Sequence, residues 1–172
     1  MKFDPVPMKK TLLVLSVFLI LQIVSSVVGK RYWINITDSE PLGLYRMTKL
    51  ERSPRRGEMV FLTIPEPYHQ YFYGRKWLPA GLPLLKHVGA VPGDLFCSQY
   101  SSFAVNGTVI GPVYRTDSAG LPVPHLAGCQ QIVEGEFLPV ATHINRSFDG
   151  RYMGPVSATR IIGLASPILV FP

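Results

Sequence analysis

The most apolar stretch of the chain lies near its start, where residues 11–29 read TLLVLSVFLILQIVSSVVG and carry no charge. A helix of this length spans about 28 Å, close to the hydrocarbon thickness of a bilayer. Lys9 and Lys10 precede the run, and Lys30 and Arg31 follow it. The pattern predicts one N-terminal transmembrane helix.

This helix is expected to be an uncleaved anchor rather than a signal peptide, because the run is long and lacks a small-x-small exit. The three lysines of residues 1–10, against one aspartate, favour a cytoplasmic tail. The predicted organisation is a tail at 1–10, an anchor at 11–29 and a periplasmic domain at 30–172. The chain would cross a bacterial inner membrane once.

Beyond the anchor, apolar residues recur in short runs separated by turn residues, a pattern typical of strands. Asn106-Gly107 between two such runs predicts a two-residue hairpin. The expected fold is mainly β, made of packed antiparallel sheets or a partly open barrel. The predicted strands lie within residues 58–64, 82–91, 103–110, 136–142 and 160–171.

Two further segments each have two interpretations. PEPYHQYFYGRKW, residues 65–77, is either an aromatic surface resting on the bilayer interface or an ordinary packed loop. KLERSPRRG, which holds Lys49, Arg52, Arg55 and Arg56, is either a lipid-contacting or a solvated basic loop. The net charge of +6 over 172 residues is modest. Without a regular basic helix, the sequence predicts no nucleic-acid partner.

Cys97 and Cys129 are the only cysteines of the chain. Both fall in the part predicted to be exported, where the environment is oxidising, so a disulfide is favoured over two buried thiols. Two distant cysteines supply no closed tetrahedral metal site. The four histidines show no ligand spacing and are interpreted as structural. The sequence therefore predicts neither a metal nor a cofactor.

The stretch ITDSEPLGLYR, residues 36–46, begins a few residues after the anchor and contains Ser39. Its residue types are also those of an ordinary turn. The chain has no GxSxG elbow and no HExxH motif. A serine enzyme built on Ser39 would need a base other than a triad histidine.

Lys86 is the candidate base, because it lies inside the apolar run LPLLKHVGAV. Period-2 alternation places it on one strand face with Leu84 and Val88. Desolvation there would lower the pKa of the lysine and let it take a proton from a serine hydroxyl. The alternative is a lysine that extends to solvent or forms an ion pair.

Three ordered motifs resemble the signal peptidase I superfamily, and within it the conjugative-transfer branch of pilin maturation peptidases. They are N-x-T-x-S-x-P-x-G-x-Y from Asn35 to Tyr45, then KHVGAVPGD, then SFDGRYMGPV. The resemblance implies a mainly antiparallel β fold and a membrane-anchored serine endopeptidase with a Ser-Lys dyad. Its partner would be a membrane-inserted precursor, a pilin subunit or another signal-peptide-bearing protein.

The resemblance also implies a role for each matching residue. Ser39 matches the nucleophile and Lys86 the general base, while Thr37 joins the Ser39 backbone N–H in the oxyanion hole. Ser147 matches a serine that orients the lysine. Asp149 and Arg151 match a charged pair that braces the site.

The chain departs from general signal peptidases in ways that count against a general secretory role. Glu40 follows the nucleophile where Met is usual, ATHINRS replaces a Gly-Asp-Asn-Arg run, and Gly150 stands where a serine is usual. The segment 94–135 is also short for a large second subdomain. Two alternatives stay open: a general leader peptidase, and a non-catalytic scaffold of a pilus or secretion apparatus.

Overall fold

Strands dominate the fold, which a computed structural model describes for residues 8–99 and 101–171. One long helix precedes the strands, and a short α-helix, α2, interrupts them near the end. The elements are α1 (Met8–Arg31), β1 (Tyr32–Asn35), β2 (Leu42–Thr48), β3 (Met59–Leu62), β4 (Leu84–Ala90), β5 (Leu95–Gln99), β6 (Ser102–Val105), β7 (Thr108–Pro112), β8 (Gly128–Gln131), β9 (Glu136–Val140), α2 (Gly150–Met153), β10 (Val156–Ser157) and β11 (Ile161–Phe171).

Helix α1 contains the whole of the predicted anchor, residues 11–29. Judged on both length and apolarity, none of the helices in the described part of the chain reaches what a bilayer crossing requires. The transmembrane anchor therefore stays a prediction. The cytoplasmic position of the tail does too, and residues 1–7 lie outside the described residues.

The strands form two antiparallel sheets, which confirms the mainly β class. The larger sheet has seven strands in the order β1-β2-β11-β3-β4-β9-β10, and the smaller has four in the order β7-β6-β5-β8. Ala90 and Leu138 of the large sheet share a buried cluster with Phe96 and Phe103 of the small one. The two sheets are thus held by a common apolar core.

The closing strand β11 lies between β2 and β3, so strands from the two ends of the β domain meet in one sheet. Gly43 of β2 has a φ of +148°, and a Cβ built there would lie 2.1 Å from the carbonyl oxygen of Leu169. Only glycine allows this approach. The close pairing of β11 with β2 therefore requires the Gly43 of the first motif.

The aromatic segment 65–77 forms two short helical turns that pack on the core. Phe72 is 5% exposed, and its ring meets those of Trp77 and Phe148 at centroid distances of 6.1 and 5.3 Å. Tyr68 donates a hydrogen bond to the carbonyl of Met153 at 3.0 Å. Of the two interpretations of this segment, the packed one describes the structure.

The smaller sheet contains both features that the sequence predicted for it. Asn106 and Gly107 have φ values of +49° and +80° and join β6 to β7 as a two-residue hairpin turn. Cys97 of β5 lies directly opposite Cys129 of β8, and the two form a disulfide. The hairpin is confirmed, and the structure contains the expected disulfide.

The turn that follows β4 holds the end of the strand in place through Asp94. Its carboxylate accepts hydrogen bonds from the Val91 N–H at 2.8 Å and from Asn106 Nδ2 at 2.9 Å. Arg56 of the basic loop forms an ion pair with the same carboxylate. Part of that loop's charge is therefore compensated within the protein.

Candidate active site

Ser39 lies in the loop between β1 and β2, and Asn35 organises this loop from within. The Asn35 side-chain amide donates to the carbonyls of Thr37, Glu40 and Pro41 at 2.9 to 3.1 Å. Its Oδ1 atom accepts from the Thr37 N–H at 3.2 Å. One buried side chain thus fixes the backbone on both sides of Ser39, which is itself 9% exposed.

Lys86 reaches this loop from the middle of β4, as the alternation of the strand predicts. Its side chain is 2% exposed, and its Nζ atom lies 2.6 Å from Ser39 Oγ. The Ser147 Oγ atom lies 3.2 Å from the same nitrogen. The structure therefore brings together Ser39, Lys86 and Ser147 although 47 and 61 residues separate the lysine from the two serines.

Burial dominates the electrostatics of Lys86. Desolvation lowers the pKa of the amine to about 8, against an ordinary value of 10.5. The carboxylates of Asp149 and Glu40 act in the opposite direction and raise this pKa, while the Arg151 guanidinium lowers it. The result is an amine that a small rise in pH above neutrality converts into a free base.

Asp149 and Arg151 form a buried ion pair beside the lysine, at the start of α2. The guanidinium donates from Nε and Nη2 to the two carboxylate oxygens at 2.9 Å each. Asp149 also accepts from the N–H of Ala141, at the end of β9, at 2.7 Å. Burial alone would lower the pKa of Arg151, but its bonds to Asp149 raise it. The pair joins α2 to the edge of the large sheet.

Thr37 also lies at the site, but its hydroxyl proton is directed away from the nucleophile. Thr37 Oγ1 donates to Asn35 Oδ1 at 2.9 Å and lies 3.4 Å from Ser39 Oγ. A hydroxyl can rotate about its C–O bond to meet a new acceptor. The predicted oxyanion role would require that rotation when substrate binds.

A cleft of about 330 Å³ opens beside Ser39 and Lys86. Phe72, Trp77, Phe148 and Tyr152 form an aromatic part of its wall. A further part of its rim includes Thr116, Asp117 and Ser118, which belong to the loop between β7 and β8. The arrangement can accept an extended apolar peptide with its backbone next to the serine.

Arg75 fastens this rim to the aromatic segment. Its Nη1 atom donates to Asp117 Oδ2 at 2.6 Å, and Nη2 donates to the Pro122 carbonyl at 2.7 Å. The guanidinium also lies over the rings of Tyr71 and Trp77, at 4.8 and 5.4 Å from their centroids. The width of the cleft therefore depends on Arg75, although none of these contacts of Arg75 involves Ser39 or Lys86.

Comparison with known proteins agrees with this geometry. The family model described as signal peptidase, peptidase S26, matches residues 8–170. The chain belongs to the peptidase S26 family of signal peptidases. The resemblance predicted from the three motifs is thereby confirmed.

Three relatives that are similar to this S26 chain carry names that refer to conjugal or plasmid transfer. The "Conjugal transfer protein TraF" of Agrobacterium fabrum is 34% identical over 152 residues, which cover 81% of this chain and 83% of the relative. The "Probable conjugal transfer protein TraF" of Sinorhizobium fredii is 35% identical over 153 residues, with coverages of 81% and 78%. The "Plasmid transfer protein TraF" of Escherichia coli is 26% identical over 148 residues, with coverages of 80% and 82%.

A solved structure is also similar. It is the crystal structure of a signal peptidase I from Enterococcus faecalis V583, with a TM-score of 0.38 and 18% identity. The similarity covers 66% of this chain and 97% of that chain.

Sequence reasoning missed one group of residues in this S26 site. Glu40 is 1% exposed, and its Oε1 atom lies 3.0 Å from His87 Nδ1. Thr142 donates to the same carboxylate from its N–H at 3.3 Å and from its hydroxyl at 3.4 Å. The sequence marks Glu40 only as a difference from general signal peptidases, and it predicts a structural role for His87. A signal was available, because these two residues directly follow Ser39 and Lys86.

Within residues 8–99 and 101–171, no group of three or more His, Cys, Asp or Glu side chains is placed to hold a metal ion. The polar groups gathered around Ser39 are instead a primary amine, two further hydroxyls and two carboxylates. Such a set can move a proton from a serine hydroxyl to an amine.

Proposed function

We propose that this chain is a membrane-anchored serine endopeptidase that cleaves a membrane-inserted pilin precursor in conjugal transfer. The observation that carries the proposal is the 2.6 Å contact between Ser39 Oγ and the buried Lys86 Nζ. Membership of a family of serine peptidases supports the activity. The printed names of the relatives support the role in transfer.

Catalysis would begin with proton transfer. Neutral Lys86 accepts the Ser39 hydroxyl proton as Ser39 Oγ attacks the scissile carbonyl, in a Ser-Lys variant of the triad mechanism. The Ser39 N–H and the rotated Thr37 hydroxyl then stabilise the oxyanion. Loss of one such donor typically costs about 10²- to 10³-fold in rate.

Collapse of the tetrahedral intermediate would break the peptide bond, and the Lys86 ammonium would return its proton to the leaving amine. Ser147 holds the amine of Lys86 in place through its 3.2 Å contact, and Asp149 with Arg151 braces the segment that carries Ser147. The acyl group is then transferred from Ser39 either to water, which gives a linear product, or to an amine of the same pilin subunit, which closes a ring.

The anchor fits this substrate class. Residues 11–29 carry no charge, and the large apolar side chains described between Leu12 and Leu21 are about half or more exposed. A bilayer would cover them and would place Ser39, ten residues beyond Gly29, near the membrane surface. Protease accessibility of residues 30–172 in inverted inner-membrane vesicles would test this topology, because a periplasmic domain is protected there.

The experiment that tests the substrate uses the purified full chain in lipid vesicles with two tagged precursors, a conjugative pilin and a secretory protein. Cleavage of the pilin precursor alone is the expected result, and mass spectrometry distinguishes a linear product from a ring that is lighter by one water. Cleavage of the secretory precursor instead would indicate a general leader peptidase. Cleavage of neither would indicate a scaffold.

Arg75→Ala should weaken substrate binding without slowing the chemical step. Loss of the Asp117 and Pro122 contacts frees the rim of the cleft, so we expect KM to rise roughly three- to tenfold with kcat nearly unchanged. Initial rates at several precursor concentrations check this. Arg115→Ala, at an exposed position on the loop that carries Asp117, is the matched control. A fall in kcat with unchanged KM would contradict the assignment of Arg75 to the cleft rim.

A further inference from the structure

A buried carboxylate next to the nucleophile has no part in the mechanism above. Glu40 is almost fully buried, at 1% exposed, and directly follows Ser39. Placing an ionised carboxylate in the interior is unfavourable unless it is paired and hydrogen-bonded, and an apolar side chain of similar size usually fits such a site better. The position therefore retains a charge that packing alone does not require.

The side-chain hydrogen bonds of Glu40 all go to residues outside its own loop. His87 is on β4, and Thr142 follows the end of β9, 47 and 102 residues away in the chain. An ionised carboxylate only accepts hydrogen bonds, so the 3.0 Å contact requires a proton on His87 Nδ1. Asn35 shapes the nucleophile loop from within, whereas Glu40 fixes this loop to the strand that carries Lys86.

Two neighbouring residues of the loop thus contact two neighbouring residues of β4. Ser39 contacts Lys86 at 2.6 Å, and Glu40 contacts His87 at 3.0 Å. Successive side chains of a strand point to opposite faces, so the Ser39-Glu40 pair holds both faces of β4. A shift of the loop along β4 would break both contacts at once.

We propose that Glu40, held by His87 and Thr142, is a positioning residue that sets the register of Ser39 against Lys86 and supplies a fixed negative charge beside the base. The inference rests on the proposed function, because it requires Lys86 to act as a base on Ser39. Glu40 touches neither the reacting oxygen nor the lysine nitrogen in the contacts above. It acts through its neighbours.

The charges that face Lys86 explain what the carboxylate does. From the segment after β9 comes Asp149, which is paired with Arg151. Its carboxylate still raises the pKa of Lys86, more than Glu40 does, and the Arg151 guanidinium lowers it. From the nucleophile loop comes Glu40, whose contacts are the imidazole of His87 and the groups of Thr142. The pKa of the Tyr45 phenol, on β2, is raised by burial first and then by the charge of Glu40, so this tyrosine stays uncharged.

Glu40 therefore counteracts the desolvation of Lys86. Its negative charge favours the ammonium form and raises the pKa of the lysine, against the larger lowering effect of burial. Removing the charge while keeping the shape should make Lys86 a free base at lower pH. Keeping the charge while shortening the side chain should instead disturb the register of Ser39.

Glu40→Gln and Glu40→Asp separate these two effects, with Glu51→Gln, at an exposed position, as the control. The measurement is kcat and KM for precursor cleavage from pH 6 to 10, on variants whose thermal unfolding shows an intact fold. For Glu40→Gln we expect the rising limb of the kcat profile to move to lower pH by about half a unit or more. For Glu40→Asp we expect the rising limb to stay at the pH of the wild-type limb, with kcat lowered about tenfold or more.

A rising limb of Glu40→Gln that coincides with the wild-type limb would overturn the proposal. If the glutamine variant does not fold, Glu40→Asp decides the matter, because wild-type kcat in that variant would overturn it as well. The proposed function fails separately: it fails if the wild type does not cleave, or if Ser39→Ala still cleaves. An active wild type with inactive Ser39→Ala and an unshifted Glu40→Gln would refute only the role of Glu40.

Discussion

Replacing Ser39 with alanine should lower the rate of precursor cleavage by roughly four to six orders of magnitude, because the proposed acyl-enzyme forms on the Ser39 hydroxyl. The fold should persist. Asn35 organises the loop through backbone carbonyls, and Glu40 fixes it to β4, so neither set of contacts needs the Ser39 hydroxyl. Single-turnover cleavage with enzyme in excess, followed by gel electrophoresis, measures the loss.

Ser118→Ala is the matched control for this change, since Ser118 also lines the cleft but belongs to the loop between β7 and β8. We expect it to cleave at nearly the wild-type rate. A Ser39→Ala protein that processes precursor normally would show that the chemistry lies elsewhere, whatever the distance between Ser39 and Lys86. Loss of cleavage in both variants, with both folded, would point to the cleft rather than the hydroxyl.

Much of the fold could be predicted from local patterns. The alternation around Lys86 fixed the face of β4, and Asn106-Gly107 fixed the turn between β6 and β7, because both depend on neighbours in sequence. The five predicted runs contain β3, β4, β9 and β11 in full and most of both β6 and β7. Strands β1, β2, β5, β8 and β10 were not predicted, and three of them are short, with four residues in β1, four in β8 and two in β10.

The close contact between β2 and β11 at Gly43 illustrates this limit. The motif marks the glycine, but only the structure shows that the backbone of β11 passes close to it, and that pairing joins residues about 125 positions apart. Local periodicity predicts a strand at 160–171 but does not identify the strands that pair with it. Topology therefore follows from packing that the pattern alone does not specify.

The candidate site divides in the same way. Ser39 and Lys86 could be predicted because each lies in a motif of its own, and the resemblance supplied the link between them. The group of Glu40, His87 and Thr142 could not, since three distant segments meet there and each residue alone has an ordinary structural interpretation. A buried acid directly after the nucleophile and a histidine directly after the base form a signal only when both are considered together.

Lys86→Arg should abolish cleavage although it keeps the positive charge, because a guanidinium does not deprotonate in proteins and cannot accept the Ser39 proton. For the wild type, burial holds the pKa of Lys86 near 8, so the amine is mostly charged at pH 7 and mostly neutral at pH 9. Under the proposed mechanism the neutral form is the active one, so the rate should rise with pH through this value and then level off. Initial rates from pH 6 to 10 measure the profile.

The arginine variant is compared with the wild type at pH 9, where the wild-type base is free, and Lys49→Arg at an exposed position is the control. Overpacking is a second way in which arginine can inactivate a buried site, so Lys86→Met is tested beside it. Methionine has nearly the length of lysine and no base, and it should be equally inactive yet folded. Substantial cleavage by Lys86→Arg, or a wild-type rate that does not change with pH, would show that Lys86 contributes packing and that another group removes the serine proton.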